Sequence, residues 1–367
     1  MNITYILGNG FDIQLGLNSR YSDFLNEYIR SDDADSANIK MFKQYLSETP
    51  NLALWSDAEK AMGEHMGEFD EDTLATYIEQ ISDFEIKMAE YLEREQAQCL
   101  FVEKVKIKES FMDFLLYSFE DLLNRGKDEL SDSWEAGSNT FNFITFNYTD
   151  LLDNIIECCV DKNGRFGSRW ADGELYVDSL GSICHVHGTL NSHPIMGVND
   201  ESQLNTNGGV YLTNRVKRKF IKPHLNQAAR LGGDVRGQAI IANSDLIVIY
   251  GISYGATDNL WWSEIRNWLE KRSSHKLIAF IRDSGKTFNP RLAWEEVDYE
   301  EDKRREVLQN LGFSIADIEF SGLMDQIYLV VNTKRLNLKE IILANNSATE
   351  PDATAAANIT NANSKAI

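Results

Sequence analysis

Ile3-Thr4-Tyr5-Ile6-Leu7-Gly8-Asn9-Gly10-Phe11-Asp12 is the stretch on which the reading of the whole chain turns. A β-branched and aromatic run ends in two glycines, and a segment with helical patterning follows from about Ser19. Strand, Gly-x-Gly turn and helix is a layout in which backbone N–H groups and a helix N-terminus hold a phosphate. Ile13 stands where the dinucleotide fingerprint has its third glycine. The stretch is therefore compatible with a plain tight turn as well as with phosphate binding. What decides between them is whether other strand ends converge on the same place.

Working outward, Ser31 to Ser36 is an acidic, polar break, and from about Ile39 to Leu130 apolar residues recur at helical spacing between acidic ones. This predicts a helical insertion, residues 36–135, between the first and second strands of a sheet. Strand patterning returns at Thr140 to Asn147 and runs into an amphipathic helix with Thr149 or Asp150 as N-cap. A Gly-rich loop through Gly164 and Gly167 leads to short strands near Leu175 to Val177 and Ser182 to Val186, the second ending in His187-Gly188. Pro194 to Gly237 reads as loop-rich. Asp245 to Tyr250 is a continuous apolar run, as expected of a strand buried on both faces. A helix is predicted over Asn259 to Lys271, a further strand over Lys276 to Ile281, and a last strand over Tyr328 to Val331. Residues 345–367 are low-complexity and predicted to be a disordered tail, leaving 1–344 as the α/β domain.

Composition narrows the function classes. With 43% hydrophobic residues the chain can bury a sizeable core, and its net charge of −21 disfavours broad binding to nucleic acid or anionic membranes. The basic run Arg215 to Lys222 is the local exception and reads as a solvated face or a clamp for one anionic ligand. No uninterrupted apolar run is long enough to span a bilayer, and no signal sequence is evident at the start. Cys99, Cys158, Cys159 and Cys184 form no CxxC pair, so buried thiols in a reducing cytoplasm are expected.

Four strand ends carry polar or glycine-rich residues: Gly8 to Asp12, Thr145 to Asp150, His187-Gly188 and Gly251 to Asp258. In an open parallel sheet ligands bind outside the carboxyl ends of the strands, so parallel neighbours would bring all four loops to one crevice. Gly251-Ile252-Ser253-Tyr254-Gly255 has the G-x-S-x-G spacing of a nucleophile elbow. The triad order Ser, Asp/Glu, His leaves only His275, at the amino end of its strand, so a serine hydrolase is disfavoured. His185 and His187 would point to one face if both lay on a strand, but no third metal ligand is placed by spacing and no metal is expected.

Gly8-Asn9-Gly10-Phe11-Asp12, Phe146-Asn147-Tyr148-Thr149, His185-Val186-His187-Gly188-Thr189-Leu190 and Gly251 to Asp258 together resemble the AbiH family of bacteriophage abortive-infection proteins. In the same order they are more distantly similar to the sirtuin-like fold, in which such segments surround NAD. Phe146 and Thr149 depart from the sirtuin T-Q-N-x-D segment, and four structural zinc cysteines are missing. The resemblance implies a Rossmann-like, mostly parallel sheet with the helical insertion after its first strand and helix. It implies Asn147 and His187 as catalytic residues of an NAD glycohydrolase. It also implies that Gly8, Asn9, Gly10, Phe11, Asp12, Thr145, Tyr148, Gly251, Ser253 and Asp258 bind the nucleotide. Gly8 to Gly10 and the following helix would hold the pyrophosphate, and Gly251 and Ser253 the adenosine side. Asp12 stands open between a ribose or nicotinamide contact and a helix cap. A phage-derived or protein trigger is implied, with room for a homo-oligomer. The alternative is a nucleotide-binding sensor or toxin scaffold without catalysis.

Overall fold

The computed structural model describes residues 1–31, 35–48, 57–123, 130, 137–171, 173–289 and 291–343; the predicted tail lies outside them. The opening run forms strand β1 (Asn2–Leu7), with β2 (Asn139–Thr145) on one side and β5 (Leu246–Tyr250) on the other, both parallel to it. The seven-stranded sheet continues outward through β4 (Glu174–His185) and β3 (Arg165–Ala171) past β2, and through β6 (Lys276–Ile281) and β7 (Ile327–Val331) past β5. Only the β3–β4 pair is antiparallel. Because the chain leaves β1 toward β2 on one side and returns to it as β5 on the other, a crevice opens at the carboxyl ends of β1 and β5.

Alternation explains why β1 has no polar face. Ile3, Tyr5 and Leu7 enter one apolar cluster with Phe141, Phe143 and Val248, while Ile6 enters another with Ile144, Ile247 and Ile249. The first face is covered by α1 (Asn9–Leu15), α6 (Lys104–Tyr117) and α7 (Leu151–Cys159). The second is covered by α10 (Gly233–Ala242), α11 (Asn259–Lys271) and α12 (Ala293–Asn310). Each fully buried ring such as Phe111 or Phe114 contributes roughly 1.5–3 kcal/mol of burial free energy.

A third cluster stands beyond the strand ends. It joins α2 (Tyr21–Arg30), α3 (Ala37–Ser47), α4 (Ala58–His65) and α5 (Leu74–Gln96) to Tyr148, Leu190, Met196 and Phe220. Within the region expected to be a helical insertion, α3 to α5 thus build the wall over the crevice, whereas α6 packs on the sheet.

Several local expectations change. The helix expected from about Ser19 is α2, but a further helix, α1, precedes it from Asn9 and is ended by Gly16 at φ 104°, whose N–H caps the carbonyls of Asp12 and Ile13. The two short strands after Gly167 are one strand, β4, and the loop before them is β3, its hairpin partner. The loop-rich region carries three helices: α8 (Asn214–Phe220), capped by Thr213, then α9 (Lys222–Ala229) with Pro223 in its first turn, then α10. They are only 7 to 10 residues long, too short for a clear helical period to show in the sequence. Among the described residues no helix is long and apolar enough to cross a membrane.

Candidate functional site

The floor of the crevice is made where two glycine loops meet. The N–H of Gly8 donates to the Tyr250 carbonyl (3.0 Å) and that of Gly10 to the Gly251 carbonyl (2.9 Å). A Cβ on Gly10 would stand 2.5 Å from Gly251 Cα, and Gly251 itself sits at φ 69°. Both glycines are therefore required by loop-to-loop contact. Their amides face the neighbouring loop, so neither is free to cradle a pyrophosphate. The Asn9 side chain is also closed, donating to the Ser19 carbonyl (2.8 Å) and accepting from the Ser19 hydroxyl (2.5 Å).

Above this floor lies a cavity of about 1110 Å³. At its base Asp12, only 2% exposed, accepts hydrogen bonds from Asn147 Nδ2 (2.8 Å) and Thr149 Oγ1 (2.7 Å). Asp12 is inside α1 and caps nothing. Burial pushes its carboxyl up to about 6, against the opposing effect of the Thr149 and Asn147 bonds. The second hydrogen of the Asn147 amide goes to the Gly8 carbonyl (3.2 Å). Asn147 Oδ1 keeps no protein partner among the described residues and borders the cavity.

His187 reaches the same cavity from beyond the end of β4. Gly188 at φ 70° turns the chain there, and a Cβ on it would meet the His193 carbonyl oxygen at 2.3 Å. The imidazole stands edge-on to Phe146, ring centres 5.2 Å apart. Its Nε2 is 3.2 Å from Asp258 Oδ1 but is not aligned for a proper hydrogen bond.

Asp258 is shared with Lys222. The buried Lys222 ammonium spends its three hydrogens on Asp258 Oδ1 (2.7 Å), Glu59 Oε2 (2.6 Å) and the Thr257 carbonyl (3.2 Å). Burial alone would raise the Asp258 carboxyl, but Lys222 and His187 outweigh it and hold the group well below the usual carboxylate range. Glu59 goes the other way: burial raises it despite Lys222. Lys222 is held charged, because its two carboxylates overcome the desolvation that would lower it. One ammonium thus ties α4 of the helical wall, the start of α9 and the loop after β5.

Of the residues predicted to bind, Gly8, Asn9, Gly10, Asp12, Asn147, Tyr148, His187, Gly251, Ser253 and Asp258 line this cavity. Two do not. Phe11 is packed into the core, edge-on to Tyr250, and Thr145 is buried beneath the site, its hydroxyl accepting from the Asn147 N–H (3.1 Å). His185 parts from His187 because β4 ends between them: its Nε2 meets Asp153 (2.8 Å) and its Nδ1 the Asn147 carbonyl (3.3 Å). Burial would lower its pKa, but Asp153 outweighs this and raises it. Among the described residues no three potential ligands gather for a metal. Ser253 is exposed and His275 lies stacked on Trp268 (4.4 Å), so no Ser–His pair forms.

Sequence reasoning missed Glu59, Lys222, Tyr21 and Arg282 as lining or support. Only Lys222 had a signal, being followed by Pro223 and preceded by Phe220-Ile221, an apolar setting unlike the rest of its basic run. Arg282, on the lining near the end of β6, makes no ion pair with any described residue.

The molecule is thus a mixed α/β protein with a mostly parallel seven-stranded sheet and a cavity whose polar groups are supplied by four strand ends. The family model of bacteriophage abortive infection AbiH matches residues 4–280. The chain belongs to that family, which implies a role in abortive infection. No curated protein matches the chain significantly.

Proposed function

We propose that the chain is a phage-defence effector whose Rossmann-like, distantly sirtuin-like crevice binds NAD and hydrolyses it at the nicotinamide–ribose bond. The observation that carries this reading is one cavity in which His187, backed by an ionised Asp258, stands with Asn147 Oδ1, the only end of that amide not already bonded. The cavity, about 1110 Å³, exceeds the roughly 300–1,000 Å³ typical of drug-sized ligands, in keeping with a dinucleotide.

In the proposed reaction the C1′–N1 bond breaks and its electron pair leaves with nicotinamide. A water oxygen bonds to C1′ and its proton passes to the His187 imidazole, giving nicotinamide, ADP-ribose and a proton. Asn147 Oδ1 accepts from the attacking water or a ribose hydroxyl, and the oxocarbenium-like centre gains from a fixed polar wall. Because the Gly8 and Gly10 amides are committed, the pyrophosphate charge is assigned to Arg282, with Arg20 and Lys303 also on the lining. Gly251 and Ser253 face the adenosine side. Tyr148 shapes the nicotinamide end, and Phe11 and Thr145 act as support. The anionic partner is a small nucleotide, and a phage-derived or protein trigger fits the abortive-infection role.

NAD loss and ADP-ribose formation, followed chromatographically with full-length protein in lysate from infected and uninfected cells, test this. Asn147→Ala and His187→Ala should each lower the rate by about 10²–10⁴-fold, the usual worth of acid–base groups. Calorimetry with NAD and ADP-ribose separates the outcomes. Binding without turnover turns the protein into a nucleotide sensor, and no binding removes the reading.

A further inference from the structure

His187 lines two cavities. One is the large crevice; the other is about 10 Å³ and is also lined by Asn226, Asp258, Lys222 and Trp261. That is the lower bound of the roughly 10–15 Å³ needed for one water molecule. Two buried polar atoms border this space without an aligned partner: Asn226 Oδ1 and His187 Nε2. Asn226 is 4% exposed and His187 5%. The Asn226 amide is oriented by its own bond, since Nδ2 donates to the Val186 carbonyl (3.1 Å), which leaves Oδ1 as the open end. Lys222 cannot satisfy it, because its three hydrogens are spent. Interior polar atoms almost always find a partner, and ordered water is the usual one when protein groups cannot reach.

We propose that one water molecule bridges Asn226 Oδ1, His187 Nε2 and Asp258, so that neutral His187 carries its proton on Nε2 and presents a bare Nδ1 to the large cavity. The hydrogen count fixes this direction. Asn226 Oδ1 and the Asp258 carboxylate only accept, so they take the two hydrogens of the water, and the water oxygen accepts the Nε2–H. Three hydrogen bonds are what a buried water typically makes. Nδ1 is neither enclosed nor bonded to any described residue. The inference deepens the proposed reaction, in which His187 takes the proton, by assigning the nitrogen that takes it and by giving Asn226 a positioning role.

The test uses full-length protein labelled with ¹⁵N-histidine, the His187 signals being assigned by their absence from His187→Gln. Long-range ¹H–¹⁵N correlation at pH 8 should show one neutral tautomer, protonated at Nε2, with a cross-peak from that hydrogen to a slowly exchanging water. Asn226→Leu should lose the single tautomer and the cross-peak, while Asn226→Ser, a hydroxyl with room for a second water, should recover both. NAD hydrolysis, measured in parallel, should fall in kcat with KM unchanged for Asn226→Leu, as Asn226 touches no substrate. A wild-type His187 protonated at Nδ1, an Nε2 hydrogen with no water cross-peak, or an unchanged tautomer in Asn226→Leu would each overturn the proposal. The spectra of the wild type decide it even if Asn226→Leu fails to fold. They also stand apart from catalysis: a protein that never turns over NAD still reports its tautomer.

Discussion

Replacing Lys222 by methionine keeps most of the side-chain volume and deletes a buried ammonium whose three hydrogens all have acceptors. Glu59 and Asp258 are then left as two buried carboxylates with no cation between them. Breaking a buried pair in this way costs about 3–5 kcal/mol, a large share of the roughly 5–15 kcal/mol that holds a domain together. The cost should depend on pH in a defined direction. In the variant, burial raises the folded carboxyl pKa values above their unfolded ones, so the penalty is full at pH 8 and relieved as pH falls and a proton is taken up. In the wild type, Asp258 is depressed, so its stabilisation is intact above its unfolded pKa of about 3.9 and is lost only below it. Wild-type Glu59 is already raised by burial, so the wild type also gains on acidification, but without Lys222 both carboxyls rise, and between pH 8 and 5.5 the variant should gain more and the gap should narrow. Urea unfolding followed by the fluorescence of the buried Trp261, Trp262 and Trp268 measures it. Adding Glu59→Gln to Lys222→Met should recover at least about 1 kcal/mol, the scale of coupling between contacting residues. Equal stability of wild type and Lys222→Met within about 1 kcal/mol at pH 8, or a gap that widens on acidification, would refute the reasoning.

Asp12→Asn retains acceptance from Asn147 and can donate to the Thr149 hydroxyl. Because burial raises Asp12 from 3.8 to about 6, wild-type stability should fall as pH rises through that window, and the advantage of the variant should grow there by about 3 kcal/mol in denaturant titrations. Gly10→Ala places a Cβ 2.5 Å from Gly251 Cα and should cost about 1–3 kcal/mol or more together with ligand binding. Gly285→Ala, with nothing within 4 Å, should change melting by no more than about 0.5 kcal/mol equivalent. Arg335 fans out to Asp113, Glu120 and Asp121 (2.5, 3.0 and 2.9 Å). Arg335→Lys cannot match that fork and should lose about 1–2 kcal/mol in urea unfolding at low salt, less in 1 M NaCl.

The central strands were legible because parallel strands buried on both faces read as continuous apolar runs, as in Ile3 to Leu7 and Leu246 to Tyr250. The polar residues at their carboxyl ends pointed to the crevice for the same reason. Less could be read where structure is set by contacts distant in sequence. Glu59 and Lys222 are 163 residues apart, and neither periodicity nor spacing marks an ion pair of that kind. Lys222 sat in a basic run whose neighbours Arg215 and Arg218 are exposed, and tertiary packing alone separates it from them. The roles of Gly8 and Gly10 were half legible: glycine was needed, but for the approach of Gly251 and not for an open ring of amides. The β3–β4 hairpin was hidden because β3 is an edge strand with exposed residues and little apolar alternation.

That β1 is at once the first strand in the chain and the middle of the sheet has a consequence for the order of synthesis. Its neighbours β2 and β5 begin at Asn139 and Leu246, so the nascent chain carries its central strand with neither neighbour until β2 is made, and with one side open until β5 follows. Parallel pairing over such separations is slow and must wait for both partners. Asp12, Asn147, His187 and Asp258 come from four separate segments, so no fragment ending before Asp258 contains the assembled crevice. A chain cut short anywhere before Asp258 therefore lacks part of the cavity lining however well its helices fold.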